Sequence, residues 1–230
     1  MRLFLFDIDG TLVSVRGAGR TAFARALLEI YGTSGSIDRY DFRGRTDLSI
    51  VHELMTEAGL DVDRIRAGVE QCFAAYAREL TRVIGDGSRI QVLPGVREVI
   101  RRLGARTDAV VGLLTGNIEA GARTKLEPTG LWPFFRVAAY GGDHADRLRL
   151  PAIACDRARA LGHEFTFDRV TIIGDTPLDV ACARGCGAVA VAVATGQYTV
   201  EELASHRPDM LFADLADVDR VVARLADGVP

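Results

Sequence analysis

RLFLFDIDGTL, residues 2–12, joins an apolar run to two carboxylates set two positions apart. Leu3, Phe4, Leu5 and Phe6 leave no polar face, which is the pattern of a short parallel strand buried on both sides. The run delivers Asp7, Ile8, Asp9, Gly10 and Thr11 at its C-terminal end. Two acids this close repel each other and resist leaving water, so their placement beside an apolar strand asks for a cation, for chemistry, or for both. Oxygen ligands of this kind suit a hard cation such as Mg²⁺. Gly10 lets the backbone turn where a Cβ would clash, and Thr11 can hydrogen-bond locally. An isolated DxDGT also reads as a capped surface turn, and the rest of the chain has to decide between the two.

Residues 18–31 form an amphipathic pattern with Phe23, Ala26, Leu27 and Ile30 on one face. Helices are predicted next over 47–58, with Thr46 or Asp47 as N-cap and Gly59 beyond the end, and over 62–83. Residues 14–88 are therefore expected to be helical, without a strand, and to interrupt a sheet after its first strand. From Pro94 onward helix and strand alternate. Strands are predicted at 109–114, 137–140, 170–173, 188–194 and 210–212, and helices at 95–103, 118–127, 150–161, from Pro177, and at 215–225. This alternation implies an α/β fold: a three-layer, Rossmann-like core with a parallel sheet, built from residues 1–13 and 89–230, and a helical second domain at 14–88.

Ligands of such sheets sit outside the carboxyl ends of the strands. Polar groups gather there: Asp7 and Asp9, Thr115 and Asn117, Asp143, then Asp175 and Asp179. Composition leaves room for this reading and closes others. Apolar residues make up 48% and charged residues 26%, and a net charge of -3 gives no footprint for nucleic acid or an anionic membrane. No apolar run reaches membrane-spanning length, and the N-terminal one meets Asp7 too soon for a signal peptide, so a cytoplasmic protein is expected. Cys72, Cys155, Cys182 and Cys186 complete no metal site and read as buried small side chains. The four histidines fit no metal spacing. Among 28 basic residues, Lys125 is the one lysine, retained where arginine serves elsewhere.

With these residues in hand, the chain resembles the phosphatase branch of the haloacid dehalogenase-like hydrolase superfamily. DxDGT at 7–11, hhhTGN at 112–117 and hhGDxxxD at 172–179 are similar to its first, second and fourth motifs. The helical insertion resembles the α-helical cap of phosphoglycolate phosphatase-like and β-phosphoglucomutase-like members. The Lys-Pro pair common in the third motif is missing, with Arg149-Leu150-Pro151 in that neighbourhood, so Lys125, or else Arg147, is expected to supply its positive charge. The resemblance implies Asp7 as nucleophile and Asp9 as general acid and base. It implies Mg²⁺ held by Asp7, the Asp9 carbonyl and Asp175, with Asp179 supporting the metal or positioning Lys125. Thr115, the amide of Gly116 or Asn117, and Lys125 would hold the phosphoryl oxygens. Arg43 and Arg45, flanking Gly44, offer guanidinium groups to a carboxylate or second phosphate of a small phosphorylated metabolite. Alternatives are a phosphomutase, a dehalogenase (disfavoured by Asp9) and a receiver-like phospho-switch. A monomer or homodimer is expected.

Overall fold

The computed structural model describes residues 1–227. Eight strands run β1 Arg2–Phe6, β2 Val13–Ser14, β3 Gln91–Val92, β4 Ala109–Leu114, β5 Val137–Ala139, β6 Val170–Gly174, β7 Val189–Val193 and β8 Met210–Phe212. The α-helices are α1 Ala18–Tyr31, α2 Asp47–Glu57, α3 Val62–Ile84, α4 Val96–Gly104, α5 Glu119–Leu126, α6 Leu150–Ala160, α7 Pro177–Cys186, α8 Val200–Ser205 and α9 Val218–Asp227. Six strands form one parallel sheet in the order β5-β4-β1-β6-β7-β8.

The apolar run of β1 is explained by its central place. It pairs with β4 on one side and β6 on the other, in register Phe4 to Val111 and Phe4 to Thr171. Phe4 and Phe6 face a cluster completed by Val99 and Leu103 of α4, Leu126 of α5 and Val221 of α9. Leu3 and Leu5 face the opposite cluster, with Leu150 and Ala154 of α6 and Val180 of α7. Alternating side chains therefore feed two cores, which is why the strand has no polar face. A third cluster, holding Phe23, Leu27, Leu54, Tyr76 and Leu80, joins α1, α2 and α3 as an inserted helical cap.

Departures from the sequence reading are local. β2 and β3 form a two-residue antiparallel ribbon at the base of the cap, too short to carry a hydrophobic period. The last helix starts at Val218, after Asp217 accepts a bond from Arg220 N, and Leu215 is buried in the preceding loop. α8 was not anticipated, although Thr199 and Glu202 make a reciprocal capping box. No helix among the described residues is long and apolar enough to cross a membrane.

The cap is stitched to the sheet's carboxyl edge by backbone. Asp47 N donates to Gly116 O at 2.7 Å, Leu48 N to Gly141 O at 3.2 Å, and Thr46 Oγ1 to Ala145 O at 2.7 Å. A Cβ on Gly116 would lie 1.9 Å from Arg45 O, so only glycine admits this approach. Gly116→Ala is expected to keep the fold but to hold the cap off its seat, cutting kcat/KM by about 10²-fold, the scale of a misplacement near 1 Å. Steady-state kinetics, with amide exchange at residues 46–48 as the structural readout, checks this.

Candidate active site

β1, β4 and β6 end side by side, and their first loop residues converge. Asp7 follows β1 directly, buried, and its Oδ1 lies 3.2 Å from Arg147 Nη2. Asp175 follows β6 and accepts from Thr11 Oγ1 at 3.1 Å. Gly10, at φ 83°, leaves room for that carboxylate, since a Cβ there would stand 2.3 Å from Asp175 Oδ2. Asp179, in the first turn of α7, closes a capping box with Thr176 and accepts from Arg147 Nη2 at 2.6 Å. Carboxylate oxygens of Asp7, Asp175 and Asp179 all lie within 4.8 Å of one another.

Three clustered, buried acids beside one guanidinium, which pairs with Asp7 and Asp179 only, leave negative charge uncompensated. Burial pushes the Asp7 carboxyl up to about 6 although Arg147 pulls it down. Burial, then the charges of Asp7 and Asp179, push Asp175 well above the carboxylate range. Burial opposes the charge on Arg147, yet Asp179 and Asp7 more than offset it and shift the group upward. All three acids offer hard oxygen donors, so the cluster fits a divalent cation of the Mg²⁺ type. Arg147 also donates to Leu114 O and Gly44 O, both at 3.3 Å, which ties this cluster to the cap loop.

Asp9 belongs to a second network. Lys125 Nζ donates to Asp9 Oδ2 at 2.6 Å and to Asn117 Oδ1 at 2.5 Å, and Asn117 Nδ2 donates to Asp9 Oδ2 at 2.8 Å and to Thr115 Oγ1 at 2.8 Å. Both donors to Asp9 use the same oxygen, so Oδ1 is left for the cavity. Lys125 reaches this point because its helical side chain leans back toward the N-terminus of α5. Of the two residues expected to supply the third motif's charge, Arg147 is the one that contacts the Asp7 cluster, from a 3-10 turn at Arg147–Arg149. Asp179 accordingly positions Arg147 and does not contact Lys125.

Other residues fall differently. Asp143 pairs with Arg157 at 2.6 and 2.8 Å, outside the cluster. Arg45 lines the cavity but pairs with Glu53 at 3.3 Å, and Arg43 pairs with Asp41 and stacks on Tyr198. Asp47 has a role beyond the N-cap reading. Thr46 caps α2, while Asp47 Oδ2 accepts from Ile118 N at 2.7 Å, at the start of α5. Burial pushes its carboxyl up to about 7, with the Ile118 bond and the Lys125 charge opposing. Thr46-Asp47 ahead of a helix shows only a capping signal in sequence, so nothing there marks this second use.

An acid-lined centre at the carboxyl edge of a parallel sheet, under an inserted helical cap, defines a capped α/β hydrolase. The chain belongs to the haloacid dehalogenase-like hydrolase family, whose match spans residues 1–187. It is 27% identical to a Dickeya dadantii protein described as "Probable phosphatase IndB", over 94% of this chain and 91% of that one. It is also 27% identical to the phosphoglycolate phosphatase of Synechococcus elongatus, over 98% of this chain and 99% of that one. In fold it is similar to a hydrolase from Pseudomonas syringae, with a TM-score of 0.72 at 22% identity over 97% and 98% of the two chains. Membership of a hydrolase family sets the receiver-like switch aside.

Proposed function

We propose that the protein is a Mg²⁺-dependent phosphatase that hydrolyses a small phosphorylated metabolite through a phosphoaspartyl form of Asp7. The observation that carries this reading is the division of labour between the acids: Asp7 sits among the buried carboxylates with Arg147, while Asp9 is held apart by Lys125 and Asn117 with one oxygen open to the same cavity. Names of the relatives support the substrate class, a phosphate monoester.

An Asp7 carboxylate oxygen attacks phosphorus in line, the P–O bond to the leaving group breaks, and Asp9 Oδ1 delivers its proton to the departing oxygen. Asp9, now a carboxylate, removes a proton from water, which attacks phosphorus and frees phosphate and Asp7. Lys125 and Asn117 fix Asp9 through Oδ2 so that the other oxygen handles both protons. Thr115 and the Gly116 amide are the donors offered to the phosphoryl oxygens, and Arg147 orients Asp7. Mg²⁺, held by Asp7, the Asp9 carbonyl and Asp175, with Asp179 behind them, would supply the positive charge that lets a carboxylate approach a phosphate dianion.

The test is phosphate release from a panel of phosphate esters with Mg²⁺ and with chelator, beside a measurement of isomerised sugar phosphate to separate phosphomutase activity. Chelation is expected to abolish turnover. Adding Mg²⁺ to the stripped protein is expected to raise the melting temperature by several degrees, since saturation at 100-fold over Kd stabilises by about 2.7 kcal/mol. Phosphate release undiminished in chelator would defeat the metal assignment.

A further inference from the structure

The cavity above Asp7 and Asp9 encloses about 380 Å³, within the roughly 300–1,000 Å³ of pockets that enclose drug-sized ligands. A two-carbon leaving group such as glycolate would leave much of it empty. Its floor is polar, and part of its roof, supplied by the cap, is apolar: Phe23, Phe42, Tyr76 and the aliphatic Ile50 line it. Phe23 and Tyr76 pack with their ring planes tilted by 40° at 4.4 Å between centroids, and Phe23 meets Phe42 edge-on at 6.2 Å. These rings are rigid parts of the cap core, so the roof exists before any ligand arrives.

Charge on the cap side is committed in part. Arg43 is bound twice by Asp41 and Arg45 is paired with Glu53, so a carboxylate on the leaving group would have to compete for them, whereas Arg20, which donates to Ile37 O and Tyr40 O and lies over Phe42, and Arg16, bonded to Gln91 Oε1 at 3.4 Å, have no carboxylate partner among the described residues. Tyr76 lines the cavity, and its hydroxyl, accessible from the cavity, makes no hydrogen bond among the described residues. Its Oη comes within 3.7 Å of where a Cβ on Gly19 would stand, beside the first turn of α1, whose N-cap Gly17 provides no side-chain cap. Burial, with Asp47 and Asp9 nearby, keeps that hydroxyl protonated and available as a donor.

We propose that the leaving group of the substrate is ring-sized and largely apolar, packs under Phe23 and Phe42, and presents an oxygen acceptor to Tyr76 Oη. This rests on the phosphatase reading and specifies the substrate class of the same site, in contrast to phosphoglycolate. Aromatic faces suit a planar body, and a cavity-facing donor with no partner of its own favours a ligand that brings an acceptor.

The experiment compares phosphoglycolate, glycerol 3-phosphate, phenyl phosphate and 4-acetylphenyl phosphate, with Mg²⁺, on the wild-type protein and two variants. The wild type is expected to process both aryl esters at least about tenfold better in kcat/KM than phosphoglycolate. Gly19→Leu fills the cavity from a helical position where an added Cβ makes only an ordinary contact, with Tyr76 Oη at 3.7 Å, so the fold is retained, and the aryl preference is expected to fall more than about tenfold. Tyr76→Phe is expected to raise KM for the acetyl-bearing ester about fivefold, with kcat and the phenyl phosphate parameters little moved. Phosphoglycolate as the best substrate of the wild type, or Gly19→Leu lowering all four substrates equally, would overturn the proposal while leaving the phosphatase reading intact. Absence of phosphate release from every ester would instead defeat the phosphatase reading and this inference with it.

Discussion

Asp7→Asn is expected to give a folded protein that does not turn over. The amide has nearly the shape of the carboxylate and its oxygen can still lie against Arg147 Nη2, 3.2 Å away in the native ion pair. It also removes one of three acids clustered beside a single guanidinium, so stability without metal should hold or rise. What it lacks is the lone-pair charge needed to bond to phosphorus. Removal of a nucleophile in a hydrolase costs about six orders of magnitude in kcat, and a loss of at least four is expected here. Acid-quenched wild-type protein mixed with substrate should carry a phosphoryl adduct in intact-mass spectra, and the variant should carry none. Retention of most Mg²⁺-dependent turnover by a well-folded Asp7→Asn protein would show that the nucleophile lies elsewhere.

Arg147→Ala should be the most damaging change to stability within the site. Its guanidinium contacts Asp7, Asp179, Leu114 O and Gly44 O at once, and the residue is 6% exposed. Deleting one partner of a buried ion cluster leaves charges with no compensation, a loss of about 3–5 kcal/mol. Turnover should fall by about 10²–10³-fold as well, because Asp7 loses the group that orients it. Arg147→Lys should recover little of either, since a single ammonium cannot span a four-way contact that uses the planar fork. Urea unfolding with and without Mg²⁺ checks the account: the cation should restore part of the lost stability in the variant. Equal stabilities of the wild type and Arg147→Ala in metal-free buffer would contradict it.

The acids at the strand ends were legible because the physics that marks them is local. A strand buried on both faces has no place for a carboxylate except at its end, so Asp7, Asp9, Asp175 and the Thr115-Gly116-Asn117 turn announce themselves. Asp143 met the same criterion but turns outward to Arg157, and only packing against α6 distinguishes it. Which of Lys125 and Arg147 meets the Asp7 cluster could not be read from spacing. Each is a long, flexible cation, and which acid it meets depends on the reach of α5 and of the turn before α6. Asp47 was hidden for another reason: its sequence context already has a sufficient local explanation, and its bond to Ile118 N exists only once cap and core are docked. The β2–β3 ribbon, two residues per strand, carries no periodic signal at all.

The central position of β1 also bears on how the chain is made. Its segment is synthesised before both of its neighbours, which begin at Ala109 and Val170, so during synthesis a naked apolar strand waits for its partners to appear. Closing so long a loop is entropically slow, and the exposed Leu-Phe-Leu-Phe run is a ready template for association with other unfinished chains. Helices α1 to α3, with an apolar cluster of their own, can collapse in the interval and shorten the effective tether between the strand and its partners. Translation rate and chaperone supply should accordingly govern the yield of active protein.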